Sequence, residues 1–243
     1  MELRLSIRNL HASYGAVRAL HGVSMELMQG ETVALLGTNG NGKSTLIKCI
    51  LNLLQPTSGE ILLELDGQTY DLTKMATQEI VNLGVAIVPE GRRLFPRLSV
   101  EENLLLGAFR PLARQGIANS LEFVYSSFPV LKERRRQLAG SMSGGQQQMV
   151  AIARAMMSMP RLLLVDEPSV GLSPLLVQQT ISKLAELKET LKLSVLMAEQ
   201  NFEQASRIAD SGYIIVHGEI AFQGRNLQEL RDNDLVKSFY LGM

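Results

Sequence analysis

The stretch "TVALLGTNGNGKSTLIKCI", Thr32 to Ile50, decides how the chain folds. Thr32–Leu36 is a short, mostly apolar run with the character of a buried strand. A glycine-rich turn follows, and helical spacing runs from about Lys43 to Leu53. "QPTSGE" closes it, because Pro56 and Gly59 bar continuation. Gly37 to Thr45 fits G-x-x-x-x-G-K-[ST] and lies between a strand and a helix, where a phosphate-cradling loop has to lie. Gly37, Thr38, Asn39, Gly40, Asn41 and Gly42 can curl their backbone N–H groups round a β-phosphate, and the helix N-terminus adds partial positive charge. Lys43 supplies a point charge to the β- and γ-phosphates, Ser44 can ligate Mg2+, and Thr45 ends the motif. The plainer alternative is a glycine-rich turn that caps a helix. Average residue usage produces the pattern by chance in about one chain per hundred of this length.

A phosphate loop predicts a carboxylate at the end of a neighbouring strand. "RLLLVDEP", Arg161 to Pro168, supplies it. Four apolar residues make an interior strand, and Asp166 emerges at the C-terminal end, where open α/β sheets bind ligands. Asp166 is expected to hold Mg2+, directly or through water, and Glu167 to act as general base on the attacking water. A polar turn is the bland reading of Asp-Glu-Pro.

Other segments read as strands at Leu3–Leu10, Val23–Met28, Ile61–Leu65, Val85–Val88 and Ser194–Met197, and as helices at Ala76–Leu83 and Leu175–Leu191. "DGQTYDL" reads as turns, and "YIIVHGEIAFQG" as a hairpin turning at Gly218. From about Leu98 to Met157 the spacing is helical with little β signal. Strands alternating with helices imply a mainly parallel sheet covered on both faces.

The 243 residues suffice for a full-sized core, and 24 Lys+Arg balance 24 Asp+Glu, so no global field draws the chain to nucleic acid or anionic lipid. Cys49, the only cysteine, is expected to be a small core residue in a reducing compartment. "MELRLSIRNL" lacks the apolar region of a signal peptide, and no run approaches the ~18 apolar residues that span a bilayer. The expectation is a cytosolic protein whose membrane role, if any, needs a spanning partner.

"MSGGQQQMVAIARAMM", from Met142, separates the chain from other phosphate-loop enzymes. Ser143, Gly144, Gly145 and Gln146 open a long amphipathic helix, so its free N–H groups form a second anion site. One ATP needs one phosphate loop. The economical solution is a head-to-tail dimer in which each chain's second site covers its partner's γ-phosphate.

With these motifs in order, the whole chain closely resembles the ATP-binding-cassette ATPases. "GTNGNGKST" matches the Walker A loop, "MSGGQ" the signature, "LLLVDEP" the Walker B strand and "SVGLSP" (Ser169 to Pro174) the D-loop. Tyr14, in "HASYGAVRAL", falls at the aromatic position that stacks on adenine. The resemblance implies one α/β P-loop domain over residues 1–243, with a mainly parallel RecA-like core, an N-terminal antiparallel β subdomain and an inserted α-helical subdomain. Residues 1–97 and 158–243 would form the nucleotide-binding core with its β subdomain, and 98–157 the helical subdomain carrying the signature. "VAIVPEGRRLFPRLSVEENLLLGA", "SGGQQQM", "EQN" and the C-terminal "VKSFYLGM" resemble ATPase subunits of bacterial branched-chain (hydrophobic) amino-acid importers. That branch implies ATP and Mg2+, a homologous or identical second ATPase subunit, two transmembrane permeases, an indirect periplasmic amino-acid-binding protein, and no nucleic acid. It also implies a peripheral position on the cytoplasmic face of the inner membrane.

Three positions depart from the general family pattern. Glu90 stands where the Q-loop glutamine would touch Mg2+; it can still ligate the metal, but repels the γ-phosphate unless Arg92 or Arg93 offsets it. Ser173 replaces the D-loop aspartate. Gln200 replaces the switch histidine, and a neutral amide in place of a cation weakens transition-state stabilisation by ~1 kcal/mol. The expected catalytic set is Glu167, Lys43 and Gln200, with Glu199 and Asn201 orienting the switch and capping the helix after it. "GRRLFPRLSVEEN" is expected, by resemblance, to form a groove for a permease helix, with Phe95 and Arg97 in contact; a solvated basic turn is the alternative. His11, His21 and His217 have no metal-ligand spacing. Three further functions stay open: a urea or short-chain amide importer, a cassette protein outside transport, and a nucleotide-gated module that scarcely turns over.

Overall fold

The computed structural model describes residues 3–237, so the Met1–Glu2 start and the last six residues of "VKSFYLGM" lie outside the described residues. The elements run β1 (Leu3–Tyr14), β2 (Val17–Met28), β3 (Thr32–Leu36), α1 (Lys43–Ile50), β4 (Ser58–Leu65), β5 (Gln68–Asp71), α2 (Thr77–Asn82) and β6 (Val85–Val88). They continue with α3 (Val100–Gly107), α4 (Pro111–Gln115), α5 (Ile117–Ser127), α6 (Pro129–Glu133), α7 (Gly144–Met156), β7 (Leu162–Asp166), α8 (Pro174–Leu191) and β8 (Ser194–Glu199). Last come α9 (Phe202–Ala205), β9 (Ser211–Val216), β10 (Glu219–Gly224), α10 (Leu227–Asp232) and the short α11 (Asp234–Val236).

Two sheets result. One is antiparallel in the order β2-β1-β4-β5; the other runs β10-β9-β3-β8-β7-β6, parallel from β9 to β6 with β10 antiparallel at its edge. Each of β3 and β7 is buried along its whole length, as strands covered on both faces must be. Strand pleating splits their side chains between two cores. Ala34 and Leu36 face one core with Ile152 of α7, while Val33 and Leu35 face the other with Leu46 and Ile50 of α1. In register, Leu36 lies opposite Glu199 and Asp166 opposite Ala198, so β3, β7 and β8 end at one level on one sheet edge.

"DGQTYDL" departs from the turn expected there. Asp66 and Gly67 take φ of +52° and +80°, a tight hairpin that brings Gln68–Asp71 back onto β4 as a strand. Its residues are mostly polar because β5 is an exposed edge, so hydrophobic alternation could not signal it. Between β6 and β7 every regular element is helical, apart from a single bridge between Ser99 and Leu138. There α3 packs tightly on α7: a Cβ built on Gly107 would lie 2.0 Å from the Arg154 carbonyl. Gly107→Ala therefore lowers stability by about 2 kcal/mol or more in urea unfolding. Gly116→Ala, whose Cβ meets nothing nearer than 4.0 Å, leaves it within about 0.5 kcal/mol.

Candidate nucleotide site

The loops after β3, β7 and β8 converge on one pocket. Gly42 holds φ +102° immediately before α1, with the side chain of Leu20 and the carbonyl of Ala19 where a Cβ would go, so only glycine fits. Lys43, the first helical residue, is buried. Its Nζ donates to the carbonyls of Gly37 (2.8 Å) and Thr38 (3.1 Å) and pairs with Glu167 Oε1 at 3.0 Å, engaging all three N–H bonds. Thr38, Asn39 and Gly40 are exposed at the loop crest. Asn41 donates to the Thr38 hydroxyl (2.9 Å) and accepts from the His217 N–H (3.0 Å), which fastens the loop to the β9–β10 turn. Thr45 is buried behind it.

Glu167 is the centre of the pocket. Its backbone is left-handed, φ +48°, in the conformation that non-glycine residues adopt at cost and that collects at functional sites. The Glu167 N–H is tied to the Ala198 carbonyl at 3.0 Å. One carboxylate oxygen meets Lys43, and the other accepts from Gln200 Nε2 at 2.5 Å. Ser44 Oγ donates to Asp166 Oδ1 at 3.0 Å. Burial pushes the Asp166 carboxyl above its ordinary range; Ser44 and Lys43 pull it back, while Glu167 and Glu90 push it further up. That places Glu90, itself exposed, in the same electrostatic neighbourhood.

Neither arginine offered as the offset for Glu90 pairs with its carboxylate. Arg93 reaches only the Glu90 carbonyl, at 3.5 Å. Arg92 turns away to Gln147 Oε1 and the Gly171 carbonyl, both at 3.4 Å. Arg92 and Arg93 both have positive φ, and Arg154 of α7 donates to their two carbonyls, so the turn's backbone dictates where the guanidinium goes.

The remaining expected residues lie around this centre. Tyr14, at the end of β1, is half exposed; Lys48 lies 5.4 Å over its ring and donates to its hydroxyl at 3.2 Å. Ser143 caps α7 and exchanges hydrogen bonds with Gln146, the capping box that its Ser-x-x-Gln spacing prescribes. Gly144 lies against Arg92 and Gly145 against Leu176 of α8. Among the described residues, no hydrogen bond joins Ser143–Gln146 to the phosphate loop or to Glu167. Ser173 is the N-cap of α8 without a side-chain cap bond. Cys49 is buried in α1, its thiol pushed up to about 12 by burial. Two features escaped the sequence reading: the link from Asn41 to the distant β9–β10 turn, and the contact of Glu199 with Ser169, thirty residues back. A glutamate ending the strand Ser194–Glu199, whose four middle residues are apolar, was the available signal for the second.

The geometry therefore defines a phosphate-loop pocket in which Asp166 and Glu167 lie beside the buried cation Lys43. A sequence profile described as "ABC transporter" matches residues 20–170. The chain belongs to that family. It is 42% identical over 238 residues to the high-affinity branched-chain amino acid transport ATP-binding protein BraG of Pseudomonas aeruginosa, covering 98% of this chain and 99% of the relative. A probable branched-chain amino acid transport ATP-binding protein, LivF, of Archaeoglobus fulgidus is 31% identical over 96% of this chain and 97% of its own length. Among solved structures, the ADP conformation of MJ1267, an ATP-binding cassette of an ABC transporter, superposes with a TM-score of 0.83 at 28% identity, covering both chains completely. This is an ABC ATPase cassette.

The Lys43–Glu167 pair can be tested without nucleotide. Removing one partner of a buried ion pair strands the other, so Lys43→Met lowers the stability of the nucleotide-free protein by about 3 kcal/mol. Adding Glu167→Gln restores most of that loss, both read from urea midpoints.

Proposed function

We propose that this chain is the ATP-hydrolysing subunit of a bacterial importer for branched-chain or other hydrophobic amino acids. The observation that carries the catalytic half is the immobilised Glu167 carboxylate, held by Lys43 on one side and Gln200 on the other. The substrate half rests on the relatives' transport of branched-chain amino acids and their near-complete coverage of the chain.

On this reading ATP enters along Gly37–Thr45, with adenine on Tyr14. Lys43 exchanges its bond to Glu167 for the β- and γ-phosphates. Glu167, so released on one oxygen, takes a proton from water as that water attacks the γ-phosphorus; the bond to the bridging oxygen breaks, leaving ADP and phosphate. Gln200 steadies Glu167 and offers its second amide N–H to the γ-phosphate. Ser143, Gly144, Gly145 and Gln146 of a second, head-to-tail ATPase subunit cover the nucleotide from across the interface.

The donor set suits a divalent cation brought in with the nucleotide. Lys43 pairs with Glu167, and burial together with the like charges of Glu167 and Glu90 disfavours Asp166 as a bare anion. No cluster of three or more His, Cys, Asp or Glu side chains able to hold a metal occurs among the described residues, so the nucleotide's phosphates and water would supply the remaining oxygens. Ser44, Asp166 and Glu90 would hold Mg2+, which would neutralise charge on the phosphate oxygens.

No helix of the described residues is long and apolar enough to cross a membrane, so membrane coupling falls to two permease partners, with a periplasmic binding protein acting through them. The surface offers an apolar groove of about 320 Å3. Leu53, Phe95, Leu106 and Phe109 line it and are 45% to 61% exposed. Arg97 is not among its lining residues, so the expected docking role rests on Phe95 and its apolar neighbours.

Two measurements test this reading. Mg-ATP turnover by the full chain in its assembled transporter falls at least ~100-fold in Glu167→Gln; wild-type turnover no higher than that of Lys43→Ala defeats the reading. Phe95→Ser with Phe109→Ser lowers amino-acid uptake more than about tenfold while the isolated subunit's hydrolysis stays within about twofold; undiminished uptake removes the groove from the docking role.

A further inference from the structure

The mechanism above leaves one buried carboxylate without a task. Glu199 ends β8 with no exposed surface, and it has no ion-pair partner among the described residues. Four donors converge on it instead. Oε1 accepts from the Ser169 N–H at 3.1 Å. Oε2 accepts from the Ser169 hydroxyl at 2.9 Å, the Gln200 N–H at 3.0 Å and the Asn201 N–H at 3.4 Å. The main chain here is equally engaged. The Glu199 carbonyl accepts from the Gly37 N–H at 3.3 Å, and the preceding Ala198 carbonyl holds the Glu167 N–H.

Helix capping does not explain this arrangement, because Asn201 already caps α9 by accepting from the Gln204 N–H at 3.1 Å. Burial pushes the Glu199 carboxyl up, and its hydrogen bonds with Ser169, Asn201 and Gln200 pull it back. A neutral isostere cannot take its place. An amide has one acceptor oxygen, so in either orientation its NH2 faces a backbone N–H that needs an acceptor: that of Ser169, or those of Gln200 and Asn201.

We propose that Glu199 is a positioning residue for ATP hydrolysis, one that locks the Gln200 backbone to Ser169 so that the Gln200 amide meets Glu167 in a single orientation. Ser169 begins the segment leading to Ser173, so the switch and that segment move as one body. The inference rests on the ATPase reading above and adds a residue that it does not contain.

Steady-state hydrolysis and ADP affinity, measured on the full chain in its assembled transporter, decide it with wild type, Glu199→Gln, Gln200→Ala and the double variant. Glu199→Gln lowers kcat about tenfold, with ADP affinity within about twofold of wild type. Because Glu199 works through Gln200, the double variant is no slower than Gln200→Ala alone. Losses that multiply, or a Glu199→Gln kcat within about twofold of wild type, overturn the proposal while the ATPase reading stands. If Glu199→Gln fails to fold by thermal melting, Ser169→Ala carries the same comparison. It removes one donor, leaves the carboxylate, and must slow wild type but not Gln200→Ala. Wild type idle in the same assay overturns the hydrolysis reading and this inference with it.

Discussion

Glu167 extends from the end of β7 with one oxygen on Lys43 and the other near Gln200, and those contacts need three strands to end together. Lys43 follows β3, Glu167 follows β7 and Gln200 follows β8. Parallel pairing in register supplies the common level, with Leu36 opposite Glu199 and Asp166 opposite Ala198. A slip of one residue in either pairing would turn each side chain to the opposite face of the sheet. Packing opposes it, because Ala34 and Leu36 fill one core and Val33 and Leu35 the other, and exchanging the two sets changes the volume offered to each. Packing far from the pocket thus sets distances inside it.

The pocket is also short of positive charge. Among the described residues, Glu167, Asp166 and Glu199 are buried and Glu90 acts on Asp166, while Lys43 is the buried cation that pairs with Glu167 and reaches Asp166. An imidazolium at position 200 would relieve that imbalance; an amide does not. Gln200 instead brings directionality, since its Nε2 is engaged with Glu167 and its backbone with Glu199. Hydrogen bonds replace charge, and they work only if the donor is held still.

Much of this was legible in the residues. Local spacing carried the phosphate loop, the acidic strand end and the capped helix at Ser143, because each is a short segment whose chemistry follows from neighbouring residues. The strand–helix alternation likewise pointed to the parallel sheet. What stayed hidden depends on contacts between distant segments. The polar strand Gln68–Asp71 has no buried face to impose a pattern. Arg92 was a candidate partner for Glu90, but its direction is fixed by Arg154, some sixty residues on, through the backbone carbonyls of a left-handed turn. Glu199 and Ser169 meet only because β7 and β8 are adjacent, and strand order is not written in either strand.

Lys43 also gives the phosphate loop an internal salt. With Gly37, Thr38 and Glu167 occupying its three N–H bonds, the ammonium is fully satisfied by the protein's own groups. On the proposed mechanism, nucleotide does not fill a vacant charge. It trades places with an internal counter-ion, as a solute does on an exchange resin. Net binding is then the difference between two ionic contacts, and the loop can release its product without ever exposing a bare cation to the protein interior.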